Sequence, residues 1–172
     1  SYFIADSSLK IYDFNRTVKG LNGLSIESFL DATANYFNIS PPSKSEVKPS
    51  KLHEFSMYIG NSWYLLKLKE QFIDNSSPVG SLDPQILSDT VLSKVLNVTD
   101  LKNDKRVQFI DGTRGMEALK DTVDMEIADV AFGLYPISIE QLKLIADTNN
   151  VMPPKSTWIE PKMRSGLTIY EF

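Results

Sequence analysis

Two apolar runs, Phe55 to Ile59 and Trp63 to Leu68, stand either side of Gly60-Asn61-Ser62. That pattern is the strongest local constraint on the fold, because two strand-like runs joined by a Gly/Asn turn pair as an antiparallel β-hairpin. Tyr58, Trp63 and Tyr64 are assigned to its cross-strand and core packing. Around the hairpin, other signals alternate irregularly. Lys10 to Val18 reads as a strand by its apolar and polar alternation, broken by Gly20 and Asn22-Gly23. Ser25 is placed as the cap of a helix carrying Ile26, Phe29, Leu30 and Phe37 at helical spacing. Asp83-Pro84 offers a cap and a first-turn proline for a helix with Leu87, Val91, Leu92, Val95 and Leu96 inward. A strand from Arg106 to Ile110 enters the turn Asp111 to Gly115, and a helix with Met116, Leu119 and Val123 on one face follows.

Asp129 to Tyr135 is a further strand, stopped by Pro136. Ser138 and Gln141 form a capping box for a helix through Leu142, Leu144, Ile145 and Ala146. Ser40 to Ser50 and Asp74 to Gly80 are loops, and a return strand is expected from Leu167 to Phe172. The class that accommodates this order is α+β, a mixed sheet with two hairpins and about four helices packed on it.

The chain has 172 residues, enough for one domain with a substantial core. Its 18 Lys and Arg against 22 Asp and Glu give a net charge of −4, which argues against duplex nucleic acid as the main partner. The absence of cysteine excludes a disulfide scaffold and any Cys-based zinc site, and the single histidine, His53, leaves no His-rich metal site. A lone histidine at the entry to the hairpin reads as a surface or hairpin-edge residue, and no metal site is expected. No apolar run approaches a bilayer span and no signal peptide opens the chain, so the expected location is cytoplasmic without membrane attachment. The abrupt apolar start, Ser1-Tyr2-Phe3-Ile4, suggests a piece of something longer.

Met152 to Leu167 is where chemistry concentrates. Three prolines stiffen a segment that also holds Lys155, Ser156, Thr157, Trp158, Glu160, Lys162 and Arg164. Read as a strand, Thr157 to Arg164 turns Thr157, Ile159, Pro161 and Met163 one way and Trp158, Glu160, Lys162 and Arg164 the other. An aromatic plate beside cations and a carboxylate suits an anionic ligand that carries a ring. A salt-bridged edge hairpin without a ligand is the competing reading. Arg114, in the turn between a strand and a helix, is a second candidate for holding phosphate, although neither standard phosphate loop is present. Arg16, on a strand amid apolar neighbours, is either structural, paired with Asp13 or another acid, or an anion ligand.

Several segments together resemble the C-terminal half of domain-of-unknown-function family 1015. The residues are Lys10-Ile11-Tyr12-Asp13-Phe14-Asn15-Arg16 with Leu21 to Leu24, Trp63-Tyr64, Leu82-Asp83, Arg114-Gly115, Tyr135-Pro136 with Ser138 to Leu142, and above all Met152 to Leu167. The resemblance implies a whole protein about twice this length, whose N-terminal half is ParB- and sulfiredoxin-like with an Asp-Gly-His-His-Arg motif. Relatives of that fold include free-serine kinases. No adjacent histidine pair occurs here, so the motif is absent. The chain departs from the family pattern at Asp111 and Thr113, where glycine and an aliphatic residue are expected, and at Ile159, where an aromatic is usual.

The resemblance leads to the following expectation. Residues 1–172 form one domain, the C-terminal part of a longer protein, whose partner is its own N-terminal domain. It lends Lys155, Ser156, Thr157, Trp158, Glu160, Lys162, Arg164, Arg114 and Arg16 to a phosphate site. No cofactor is expected in this fragment alone, and ATP or ADP with Mg²⁺ in the whole protein. The alternative is a structural or regulatory interdomain module with no ligand.

Overall fold

The computed structural model describes residues 8–162. Expectations for residues 1–7, for Met163 and Arg164, and for the return strand at 167–172 lie outside them. The elements in order are β1 (Lys10–Tyr12), β2 (Phe14–Val18), α1 (Ile26–Ala34), β3 (Phe37–Ile39), β4 (Glu54–Ile59), β5 (Ser62–Leu68) and α2 (Asp83–Leu87). They continue with β6 (Val107–Asp111), α3 (Gly115–Asp124), β7 (Val130–Gly133), α4 (Ile139–Asp147) and β8 (Trp158–Glu160). Six strands form one sheet in the order β3-β5-β4-β7-β2-β6, and β1 and β8 form a separate pair. Every pairing among the described residues is antiparallel. The α+β class read from the sequence is the class observed.

The hairpin forms as read, with Tyr58 opposite Trp63 and their rings 4.8 Å apart. Its turn needs two left-handed residues, and Gly60 and Asn61 both sit at φ +56°. Ser25 caps α1 by accepting the Ser28 N–H, and Ser138 and Gln141 complete both arms of the capping box of α4. Two readings are corrected. Phe37 does not extend α1, which ends at Ala34. Phe37 instead opens β3, paired with Leu68, because burial beside β5 outweighs its helical spacing. Asp83 does not cap its own helix. Its carboxylate accepts the His53 N–H, at 3.0 and 3.2 Å to its two oxygens, and lies 3.1 Å from the His53 ring Nδ1. After Leu87 the chain continues as a π-helix from Ser88 to Val95, a widened form that is uncommon at this length.

Strand alternation sorts the core onto two faces. Val18, Met57, Ile59, Val130 and Phe132 meet Phe29 of α1, Leu87 of α2 and Val91 and Leu92 of the π-helix. Tyr58, Ala131 and Ile110 meet Met116 and Leu119 of α3 on the other side. A Cβ added at Gly133 would lie 2.3 Å from Ser56 Oγ and 2.7 Å from Met116 Cε, so α3 packs directly on bare backbone at β7. In α4, Leu144 is exposed, while Ile145 is buried against Leu82. Among the described residues no helix is long and apolar enough to cross a membrane.

Candidate functional site

Pairing β1 with β8 sets Trp158 opposite Tyr12, and this lays the segment after Met152 across the start of β2. There the ring of Phe14 meets Trp158 edge-on at 5.9 Å and Phe109 of β6 edge-on at 6.2 Å. Each of these three rings holds one cation. Lys155 Nζ lies 5.4 Å from the centroid of Phe14, Lys162 Nζ 3.0 Å from that of Trp158, and Arg16 Cζ 4.8 Å from that of Phe109. None of the three cations makes an ion pair among the described residues. A ring face attracts and orients a cation without cancelling its charge. Lys155 and Lys162 are also exposed, so their charges are positioned yet still open to an anion, whereas Arg16 is buried beside Phe109.

Arg16 is the extreme case. It is fully buried, its Nη1 donates to the Phe14 carbonyl, and Nε and Nη2 have no hydrogen-bond partner among the described residues. Burial pulls its guanidinium down to about 9, and the nearby Asp13 charge offsets this only in part. A charge withdrawn from water with two nitrogens unsatisfied is costly and calls for a compensating anion.

Lys155 and Lys102 line a cavity of about 360 Å³ with Phe109 and Pro154. Both lysines are exposed, so their charge rims an apolar floor. Lys102 lies in a turn between the π-helix and β6, with no periodic or motif signal to mark it in the sequence. The other candidates are placed as follows. The pleat reading of Trp158 and Glu160 agrees with the structure, in which Trp158 Nε1 donates to Glu160 Oε1 at 3.2 Å. Ser156 is buried and its hydroxyl donates to the Pro153 carbonyl at 2.6 Å, within its own turn. Thr157 is half-buried between them. Arg114 stands elsewhere, lining a separate cavity of about 430 Å³ with Glu117 and Asp121. The Asp111 to Gly115 turn contains a 3-10 segment, Gly112–Arg114, in which the Thr113 hydroxyl donates to Asp111. Arg164 lies outside the described residues.

The family described as "Protein of unknown function (DUF1015)" matches residues 1–85. That stretch contains Lys10 to Arg16, Trp63-Tyr64 and Leu82-Asp83, whereas Arg114-Gly115, Tyr135-Pro136 and Met152 to Leu167 lie beyond it. No curated protein matches the chain. Among solved structures, a conserved hypothetical protein from Pyrococcus furiosus is similar at 15% identity and a TM-score of 0.53, over 89% of this chain and 56% of that one. A free serine kinase in complex with AMP is similar at 13% identity and a TM-score of 0.50, over 89% of this chain and 54% of that one. A mutant of free serine kinase, also with AMP, gives 15% identity and a TM-score of 0.52, over 89% and 55%. At these identities the likeness is one of fold. The chain spans a little over half the length of these structures.

Proposed function

We propose that this chain is the C-terminal domain of a longer two-domain protein, and that its ring-held cations complete a phosphate site shared with a nucleotide-binding N-terminal half. The reaction assigned to the whole protein is phosphoryl transfer from ATP or ADP to a small hydroxyl compound, with free serine the first acceptor to test. The reading rests on one observation: Arg16, Lys155 and Lys162 each lie on an aromatic ring and none forms an ion pair among the described residues. Fold likeness to structures holding AMP agrees with it.

Phosphoryl transfer is mostly positioning and stabilisation of charge on phosphate oxygens. Lys102 and Lys155 line the same cavity as Phe109 and Pro154, so phosphates would take their charge while a flat group covers the apolar pair. Trp158 carries Lys162 on its ring, and Glu160 holds its indole N–H in place. No three His, Asp or Glu side chains converge among the described residues. A Mg²⁺ ion arriving with the nucleotide would thus rest on phosphate oxygens and on ligands from the N-terminal half.

A second reading, an interdomain module without a ligand, is favoured by Ser156, whose hydroxyl is spent inside the Pro153 turn. The test separates the two. In the protein with its N-terminal half, nucleotide-dependent phosphorylation of free amino acids is measured for the parent, Lys155→Ala, Lys102→Ala and Arg164→Ala. Losing one charge-assisted contact is worth roughly 1.5–3 kcal/mol, so KM for the nucleotide should rise at least about tenfold in the two cavity variants. Unchanged KM and turnover in both would sink the shared site and leave the ligand-free module.

A further inference from the structure

A third cavity, of about 220 Å³, lies near the other face of β2, on the side where α3 packs. It is lined by Asp13 and Asn15, by Gly112 and Gly115 of the turn before α3, and by Tyr135 and Pro136 beyond β7. Three of the segments singled out in the sequence, at positions 13–15, 114–115 and 135–136, therefore meet here, and the cationic site uses none of these lining residues.

The cavity is built around one carboxylate. Asn15 is almost fully buried; its Oδ1 accepts the Leu134 N–H at 2.9 Å and its amide bonds to the Asp13 carboxylate. Gly112 donates its N–H to the Asp13 carbonyl at 2.9 Å, and a Cβ there would fall 2.2 Å from Asp13 Oδ1. The carboxylate is thus bonded by the Asn15 amide and packed against the Gly112 backbone. Burial, with Asp111 close by, holds Asp13 above the usual carboxylate range, although Asn15 and Arg16 oppose this. No cation among the described residues forms an ion pair with it: Lys48, which also lines the cavity, is held on Glu46 at 3.0 Å.

A fixed, half-buried carboxylate with unused acceptor capacity, opening onto a small cavity, selects a ligand that brings donors and positive charge. The volume falls below the roughly 300–1,000 Å³ typical of drug-sized sites, which limits the ligand to a few heavy atoms. One carboxylate cannot satisfy a hard metal ion, which requires several oxygens. We propose that this cavity binds a small primary ammonium compound, with the ammonium on Asp13 and the rest of the ligand between Gly112 and Tyr135. The site is separate from the Lys102–Lys155 cavity and does not depend on the reading given to it.

The test is a titration of the 172-residue chain with ethanolamine, followed by calorimetry and by amide NMR shifts, with ethylene glycol as the uncharged analogue. Saturable shifts confined to residues around Asp13, Asn15, Gly112 and Gly115 are expected for ethanolamine and none for ethylene glycol. Asp13→Asn should weaken binding at least tenfold, while Lys155→Ala should leave it unchanged. Should Asp13→Asn fail to fold, the parent decides the matter, since ethanolamine affinity must fall on acidification as Asp13 takes up its proton. Equal binding of ethylene glycol, undiminished binding by Asp13→Asn, no saturable response to ethanolamine, or affinity that ignores pH each overturns the proposal.

Discussion

Asp83 is 1% exposed, and among the described residues its carboxylate bonds the backbone and ring of His53 alone. Burial pushes it up from 3.8 to about 6, against the opposing bonds and charge interaction with His53. A displacement of that size corresponds to about 3 kcal/mol. Its sign follows from proton uptake. The folded protein binds this proton more readily than the unfolded chain, so the contribution of Asp83 is fully present below about pH 4 and is lost as pH rises through about 6. Asp83→Asn keeps an oxygen for the His53 N–H but carries no titrating charge. Urea unfolding of the parent and variant at several pH values between 4 and 7 isolates the Asp83–His53 pair, because titrating groups that do not contact Asp83 cancel in the difference. The variant should gain about 3 kcal/mol on the parent across that range, reaching or passing it by pH 7. A difference that stays flat within about 0.5 kcal/mol, or that falls with pH, would refute the reasoning. It would mean that His53 compensates the buried charge fully.

Gly133→Ala should destabilise the protein by about 1–3 kcal/mol, since the added methyl group collides with Ser56 and Met116 between a central strand and α3. An unaltered urea midpoint would show that α3 can retreat. Ser138→Ala removes one arm of the α4 capping box and should cost about 1 kcal/mol, with faster amide exchange at Gln141, whose N–H loses its acceptor. Unchanged exchange there would mean that the cap is redundant.

What could be read in the sequence was whatever is decided within a few residues. The 55–69 hairpin, the Ser25 cap and the Ser138–Gln141 box depend on neighbours in the chain, and all three are present. Phe37 misled because its helical spacing from Phe29 and Leu30 coincides with the first residue of an edge strand. Asp83 looked like a cap because its actual partner, His53, lies 30 positions away and carries no local mark. The candidate site was half visible. Proline stiffness and pleat alternation isolated Lys155, Trp158 and Glu160, and Arg16 was noticed as a charge out of place. The rings that hold Lys155 and Arg16, Phe14 and Phe109, come from two other strands, and Lys102 from a turn, so no spacing rule connects them. Arg114 had the same appeal in sequence but faces Glu117 and Asp121.

The position of β2 also determines where this protein can be divided. Its hydrogen-bonding neighbours are β7 and β6, both formed after residue 105, while β3, β5 and β4 reach it only through β7. A chain ending near residue 85, where the family match stops, would keep β2 but leave both of its edges open and detached from the hairpin. The stretch recognisable by sequence and the stretch able to close a sheet therefore have different ends. Truncations meant to isolate a working module should follow the second, and a shorter piece is expected to self-associate through its exposed strand edges.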